Sequence, residues 1–220
     1  MGSAIWSSTL DEMMDFPLVF FVRFFKNHGL LSVNDRPQWR VIEGGSSAYL
    51  APLTASFKDN IQLNASIAKV RRAENDVVIE FSDGTQQVFD QVVFACHSDE
   101  ALALLADPSR DEHAILSAIP YRNNDVVLHT DTRLLPNKKL AWSSWNYHLG
   151  TDSTKPATLS YNMNILQGIE APETFCVTLN NTQAINPNLI LGRFTSDHPH
   201  FPLEGMAAPH TWGEITAANP

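Results

Sequence analysis

The sequence predicts an α+β fold: helices at the N-terminus, a three-stranded β-meander, then a larger, mostly antiparallel sheet with helices beside it. Three observations predict it. Phe16, Phe20 and Phe24 set an aromatic stripe at helical spacing within the first thirty residues. Asp83-Gly84 lies between two β-rich runs as a hairpin signal. From residue 125 onward, β-rich stretches alternate with the Pro, Gly, Asn and Asp that tight connections need.

The elements follow in order. Thr9 and Glu12 have capping-box spacing, and Asp15 ahead of Phe16-Pro17 offers a second N-cap. Gly29 is a helix stop. Residues 39–42 alternate like a short strand and run into Gly44-Gly45-Ser46-Ser47, with a short helix expected over 48–53. Strands are expected within 61–70 and over 76–81, and 86–90 pairs back. The apolar run 91–96 reads as a strand buried on both faces. Ser98 caps a helix to 105, and a second helix covers 109–118. Further strands are expected over 125–130, 140–147, 157–163, 175–179 and 189–194, and an irregular tail over 201–220.

At 220 residues the chain is long enough to bury a real core, and 44% hydrophobic with 18% charged residues describes a soluble globular protein. A net charge of −9 argues against a phosphate-tracking surface, so no nucleic-acid partner is expected. Cys96 and Cys176 belong to no paired motif and read as reduced, buried thiols of a cytoplasmic protein. The most apolar stretch, 16–25, contains Pro17 and Arg23 and is too short for a membrane span.

No G-x-G occurs, so the glycine-rich turn that lets backbone approach a dinucleotide pyrophosphate is missing. Yet a set of short stretches recurs in a familiar order: Met1-Gly2-Ser3-Ala4-Ile5-Trp6-Ser7-Ser8, Phe24-Phe25-Lys26-Asn27-His28-Gly29-Leu30-Leu31, Arg36-Pro37-Gln38-Trp39, Gly44-Gly45-Ser46, Ala95-Cys96-His97-Ser98-Asp99, and Ala141 through Trp145-Asn146-Tyr147-His148-Leu149. In this order the chain resembles the flavin-containing amine oxidase superfamily, most closely its bacterial amine-oxidase-like NAD/FAD-binding proteins.

The resemblance implies FAD as cofactor and a small apolar or amine-type substrate. It places the backbone of Ile67 against the adenine, and Ala95, Cys96 and His97 near the adenosine and pyrophosphate. Members carry a glycine-rich βαβ unit before this region and a second glycine-rich segment after it. The expectation is therefore a central piece of such an enzyme, unable to hold FAD well alone. The implied organisation is a helical cap over 1–58, the meander and helix of the FAD-binding domain over 59–108, the substrate-domain sheet over 109–200, and the tail. Many members place a lysine where the chain enters the substrate sheet; residues 123–128 contain none. A desaturase-like C–H oxidation thus fits as well as amine oxidation.

On a strand, Trp145 and Tyr147 share one face while Ser144 and Asn146 share the other. Trp145 and Tyr147, with Trp39, are candidate walls of a substrate cavity, and Gly44-Gly45 allows close approach to a neighbouring backbone or flavin. Gly44-Gly45-Ser46-Ser47-Ala48 also approaches a serine-hydrolase elbow, with Ser46 as nucleophile, but its last glycine is replaced. Asp197-His198-Pro199-His200 lacks the second ligand pair of a closed zinc site, and no metal is expected. A non-enzymatic alternative is a module that self-associates through exposed apolar surface into a homo-oligomer.

Overall fold

A computed structural model describes residues 2–6, 8–35, 37–148, 158–200, 213 and 215. The expected tail over 201–220 lies almost wholly outside the described residues. The chain divides into two compact units, one of residues 1–53 with 122–200 and one of 54–121 with 201–220.

In the first unit, helices α1 (Gly2–Ile5), α2 (Leu10–Met14) and α3 (Leu18–Asn27) form the N-terminus. The capping box forms as spaced: Thr9 N donates to Glu12 Oε2 at 2.8 Å and Glu12 N to Thr9 Oγ1 at 3.1 Å. Asp15 is not an N-cap; it closes α2, and Pro17 occupies the N-cap of α3 with no side-chain bond. Trp6 is buried, with its ring 4.4 Å from Phe16 and 5.0 Å from Phe24. Phe21 stacks on Phe25 at 4.3 Å. The other side of α3 stays open, with Leu18 72% and Val19 74% exposed.

Residues 39–42 form no strand; they are exposed and irregular, because their short alternation finds no neighbour to pair with. The chain then enters a 3₁₀ turn (Ser46–Tyr49) that continues through Pro52 as α4 (Leu50–Thr54). The larger sheet comprises β4 (Tyr121–His129), β5 (Trp145–His148), β6 (Thr158–Asn162), β7 (Cys176–Leu179) and β8 (Ile190–Pro199), in the order β5-β6-β7-β4-β8. The β5–β6, β6–β7 and β7–β4 pairings are antiparallel. The expected strand over 140–147 begins only at Trp145, because 139–141 form a 3₁₀ turn. A short helix, α7 (Met163–Gln167), follows β6 and ends on left-handed Gly168. Glu12 on α2 receives both terminal nitrogens of Arg122, at 2.8 and 2.5 Å, tying the helices to β4.

The second unit holds the meander β1 (Ile67–Arg72), β2 (Val77–Phe81) and β3 (Gln86–Phe89), all antiparallel in sequential order. The Asp83-Gly84 turn forms as expected: Gly84 takes φ +84°, and Asp83 accepts from Thr85 N at 2.9 Å. Helices α5 (Ser98–Leu104) and α6 (Arg110–Leu116) follow. His97, not Ser98, is the N-cap of α5; Ser109 caps α6 in a capping box with Glu112. Arg72 on β1 donates to both oxygens of buried Glu112, at 2.7 and 3.1 Å, and to the carbonyl of Asp107. The Arg72 guanidinium holds the Glu112 carboxyl down at about 2.

A folded-state carboxylate pKa below its ordinary value stabilises the fold above the ordinary carboxylate range, and that contribution is lost as pH falls toward about 2. Arg72→Ala, which leaves the buried Glu112 carboxylate without its guanidinium partner, is expected to destabilise by about 3 kcal/mol near neutral pH. Urea unfolding of wild type and variant from neutral pH to pH ~2 checks both; the gap should close at the acidic end.

Candidate functional site

The larger sheet has two dissimilar faces. Alternation along each strand puts Asn146, Ser160, Asn162, Cys176, Thr178, Val127 and His129 on one side, and all are buried. Most of that face is polar. Its Val127 packs with Leu134 and Ile185 in a small apolar cluster. The opposite side carries Trp145, Tyr147, Tyr161, Val177, Leu179, Val126 and Leu128, which are half-buried or exposed, around fully buried Leu159. The sheet thus closes over its polar side and leaves much of its apolar side within reach of solvent.

The closed face is satisfied internally. His129 Nε2 meets Thr178 Oγ1 at 2.7 Å, Thr178 Oγ1 meets Ser160 Oγ at 2.7 Å, and Ser160 Oγ meets His148 Nε2 at 3.2 Å. The amide of Asp131 donates to His129 Nδ1 at 3.1 Å. Burial pushes the pKa of both His129 and His148 down. Asp131 accepts from Arg133 Nε and Nη2 and from the amide of Asn186, and its carboxyl lies well below the usual range because of Arg133.

Trp145 and Tyr147 lie on the open face of β5. Trp145 is 43% exposed and meets Tyr161 edge-on at 5.8 Å. Trp142 lies outside the strand, donating to the carbonyl of Pro136 at 2.7 Å. Trp39 is 66% exposed and stacks toward His28 at 6.3 Å; among the described residues no ring contact joins it to Trp145 or Tyr147. Gly44 and Gly45 take φ +81° and +83°. A Cβ on Gly45 would meet nothing within 4 Å among the described residues. Its left-handed φ is what the turn's backbone requires of a glycine there.

In the second unit, Ile67 begins β1 opposite Phe81, beside an irregularity in the pairing, and is 37% exposed. The expected buried strand over 91–96 does not form. This stretch is irregular and largely exposed, with Val93 at 89%. No strand pairs with it among the described residues. A two-sided buried strand needs a neighbour on each edge and a layer on each face. Ala95 and Cys96 are consequently exposed, and Cys96 is not the buried thiol expected; Cys176 is. The His97 ring stacks on Tyr121 at 4.2 Å.

The start of α5 is unsuited to a diphosphate. His97 N already donates to Glu100, Ser98 N to the Tyr121 hydroxyl, and Asp99 and Glu100 place carboxylates in the first turn. Ile67, Ala95 and Cys96 are exposed and His97 is half-buried, and the start of α5 offers no anion cradle.

Ser46 follows no strand, so the elbow context is absent, and no hydrogen bond among the described residues joins it to a histidine. Asp197 accepts from Asn123, and no group of three or more His, Cys, Asp or Glu among the described residues could hold a metal. No helix among them is long and apolar enough to cross a membrane. The hydrogen-bonded chain from His129 to His148 was missed in the sequence. Its signal was a polar residue at the same parity on four successive strands, visible only once the pairing register is known.

A helix-bearing α+β chain with a small meander and an antiparallel sheet open on its apolar side has the architecture of flavoprotein oxidoreductases. The chain belongs to the flavin containing amine oxidoreductase family, which it matches over residues 2–206. Among solved structures it is similar to a CLA-producing fatty acid isomerase from P. acnes, with 15% identity, TM-score 0.51, and coverage of 79% of this chain and 44% of that one. It is also similar to a putrescine oxidase redesigned in its cofactor binding, with 12% identity, TM-score 0.50, and 79% and 44% coverage. These likenesses concern the fold, and the chain spans less than half the length of either structure. No curated protein matches its sequence.

The two cysteines are expected to differ in reactivity. Iodoacetamide should alkylate Cys96 in the folded chain and Cys176 only after unfolding. Slight burial and the nearby Glu100 and Asp99 raise the Cys96 thiol, so its rate should keep climbing at pH values where an ordinary thiol levels off. Peptide mass mapping across a pH series checks this; equal labelling of both cysteines in the folded state would contradict it.

Proposed function

We propose that the chain supplies the adenosine side and the substrate wall of an FAD-dependent oxidoreductase acting on a small apolar or amine-type molecule. The observation that carries this reading is the open apolar face of the larger sheet. An aromatic and aliphatic surface left within reach of solvent, on a sheet whose other face is closed, suits a cavity for an apolar substrate. Trp145 and Tyr147 form that wall, with Trp39, Gly44 and Gly45 as further cavity residues. Ile67, Ala95, Cys96 and His97 meet the adenosine through backbone and small side chains. The division into a cap over 1–58, a cofactor part over 59–108 and a substrate sheet over 109–200 belongs to the same proposal.

By itself the chain holds FAD weakly, because its own groups occupy the donors at the start of α5 and no glycine-rich turn is present to replace them. Two free thiols favour a reducing, cytoplasmic setting. A second reading, self-association into a homo-oligomer, is favoured by the exposed Leu18, Val19 and Val93.

The reading is tested by amide chemical shifts during titration with FAD and with FMN, which lacks the adenosine. FAD should perturb the amides of Ile67, Ala95, Cys96 and His97 weakly and saturably, whereas FMN should leave them unmoved. Equal responses to both flavins, or FAD perturbations confined to other residues, would refute it.

A further inference from the structure

The hydrogen-bonded chain across the larger sheet has one direction. The Asp131 amide can only donate, so His129 Nδ1 must be an acceptor and its proton resides on Nε2. His129 therefore donates to Thr178 Oγ1. If Ser160 also donated to Thr178, the Thr178 hydroxyl hydrogen would have no acceptor among the described residues. The arrangement that satisfies every hydroxyl runs His129 to Thr178, Thr178 to Ser160, and Ser160 to His148 Nε2. The last link makes His148 Nε2 an acceptor, so the neutral His148 ring carries its proton on Nδ1. Thr178, Ser160 and His129 are each fully buried, so water cannot readily replace a link.

His148 belongs to the lining of an open pocket of about 460 Å³ along edge strand β5, together with Arg133, Leu135, Pro136, Trp145 and Tyr147. Arg133 uses Nε and Nη2 on Asp131, which compensates its charge and leaves Nη1 outside that pairing. The pocket thus combines hydrogen-bond donors with apolar walls and little net positive charge. Such a lining suits a neutral acceptor better than an anion.

We propose that this pocket binds a small neutral carbonyl- or amide-bearing molecule, with His148 as a donor whose tautomer is fixed through Ser160, Thr178 and His129. His148 is the contacting residue; Ser160, Thr178 and His129 position it. The proposal rests on the reading of Trp145 and Tyr147 as a substrate wall, and it is tested on the chain without flavin, so that its failure is separate from that of the adenosine contacts.

The ¹⁵N shifts of the His148 ring at neutral pH report the tautomer directly. The expected result is the Nδ1–H form in wild type and a mixture of tautomers in Ser160→Ala, where the donor to Nε2 is lost. Phenylacetamide is the probe ligand and should shift His148 Nδ1 saturably. Its affinity should fall roughly tenfold in Ser160→Ala, while phenylacetate should bind more weakly to wild type. An Nε2–H ring in wild type, a tautomer unchanged in Ser160→Ala, or no saturable response to phenylacetamide would each overturn the proposal.

Discussion

Hydrogen-bond satisfaction on the closed face of the larger sheet is the constraint on which the first unit depends. His129, Thr178 and Ser160 have no access to water, and each is paired. A buried polar group left unpaired costs about 1–3 kcal/mol. The chain of contacts crosses β4, β7, β6 and β5 in turn, so it also pins their mutual register. A slip of one residue would carry these polar groups to the opposite side.

Ion pairs reinforce this arrangement where apolar packing is thin. Few large apolar side chains are fully buried, while Leu18, Val19, Leu63, Val93 and Leu140 stand exposed. Arg122 with Glu12 joins helix to sheet in the first unit, and Arg72 with Glu112 joins β1 to α6 in the second. Arg133 with Asp131 fixes the loop after β4, beside Leu134 of the small core. Partly buried carboxylate–guanidinium pairs with two contacts hold geometry that exposed pairs do not.

Local chemistry was legible in the sequence. The capping box at Thr9, the Asp83-Gly84 turn and most strands of the second half follow from residues close in the chain. What depended on distant partners was not. The run 91–96 has the composition of a buried strand, but composition states what a segment can pack against, not whether a neighbour is present. Residues 39–42 failed for the same reason. Trp145 and Tyr147 were correctly assigned a common face by parity. The linkage of His129 to His148 was invisible because strand order, β5-β6-β7-β4, departs from chain order.

The most direct measurement is the stability of Thr178→Val. Valine matches threonine in shape, favours strands and is less costly to bury, so on packing alone the substitution should be neutral or stabilising. If hydrogen bonding organises the sheet, it strands His129 Nε2 without water and takes from Ser160 Oγ the donor it accepts from, and denaturant unfolding should register a loss of about 1–3 kcal/mol. A variant as stable as wild type, or more so, would contradict the account.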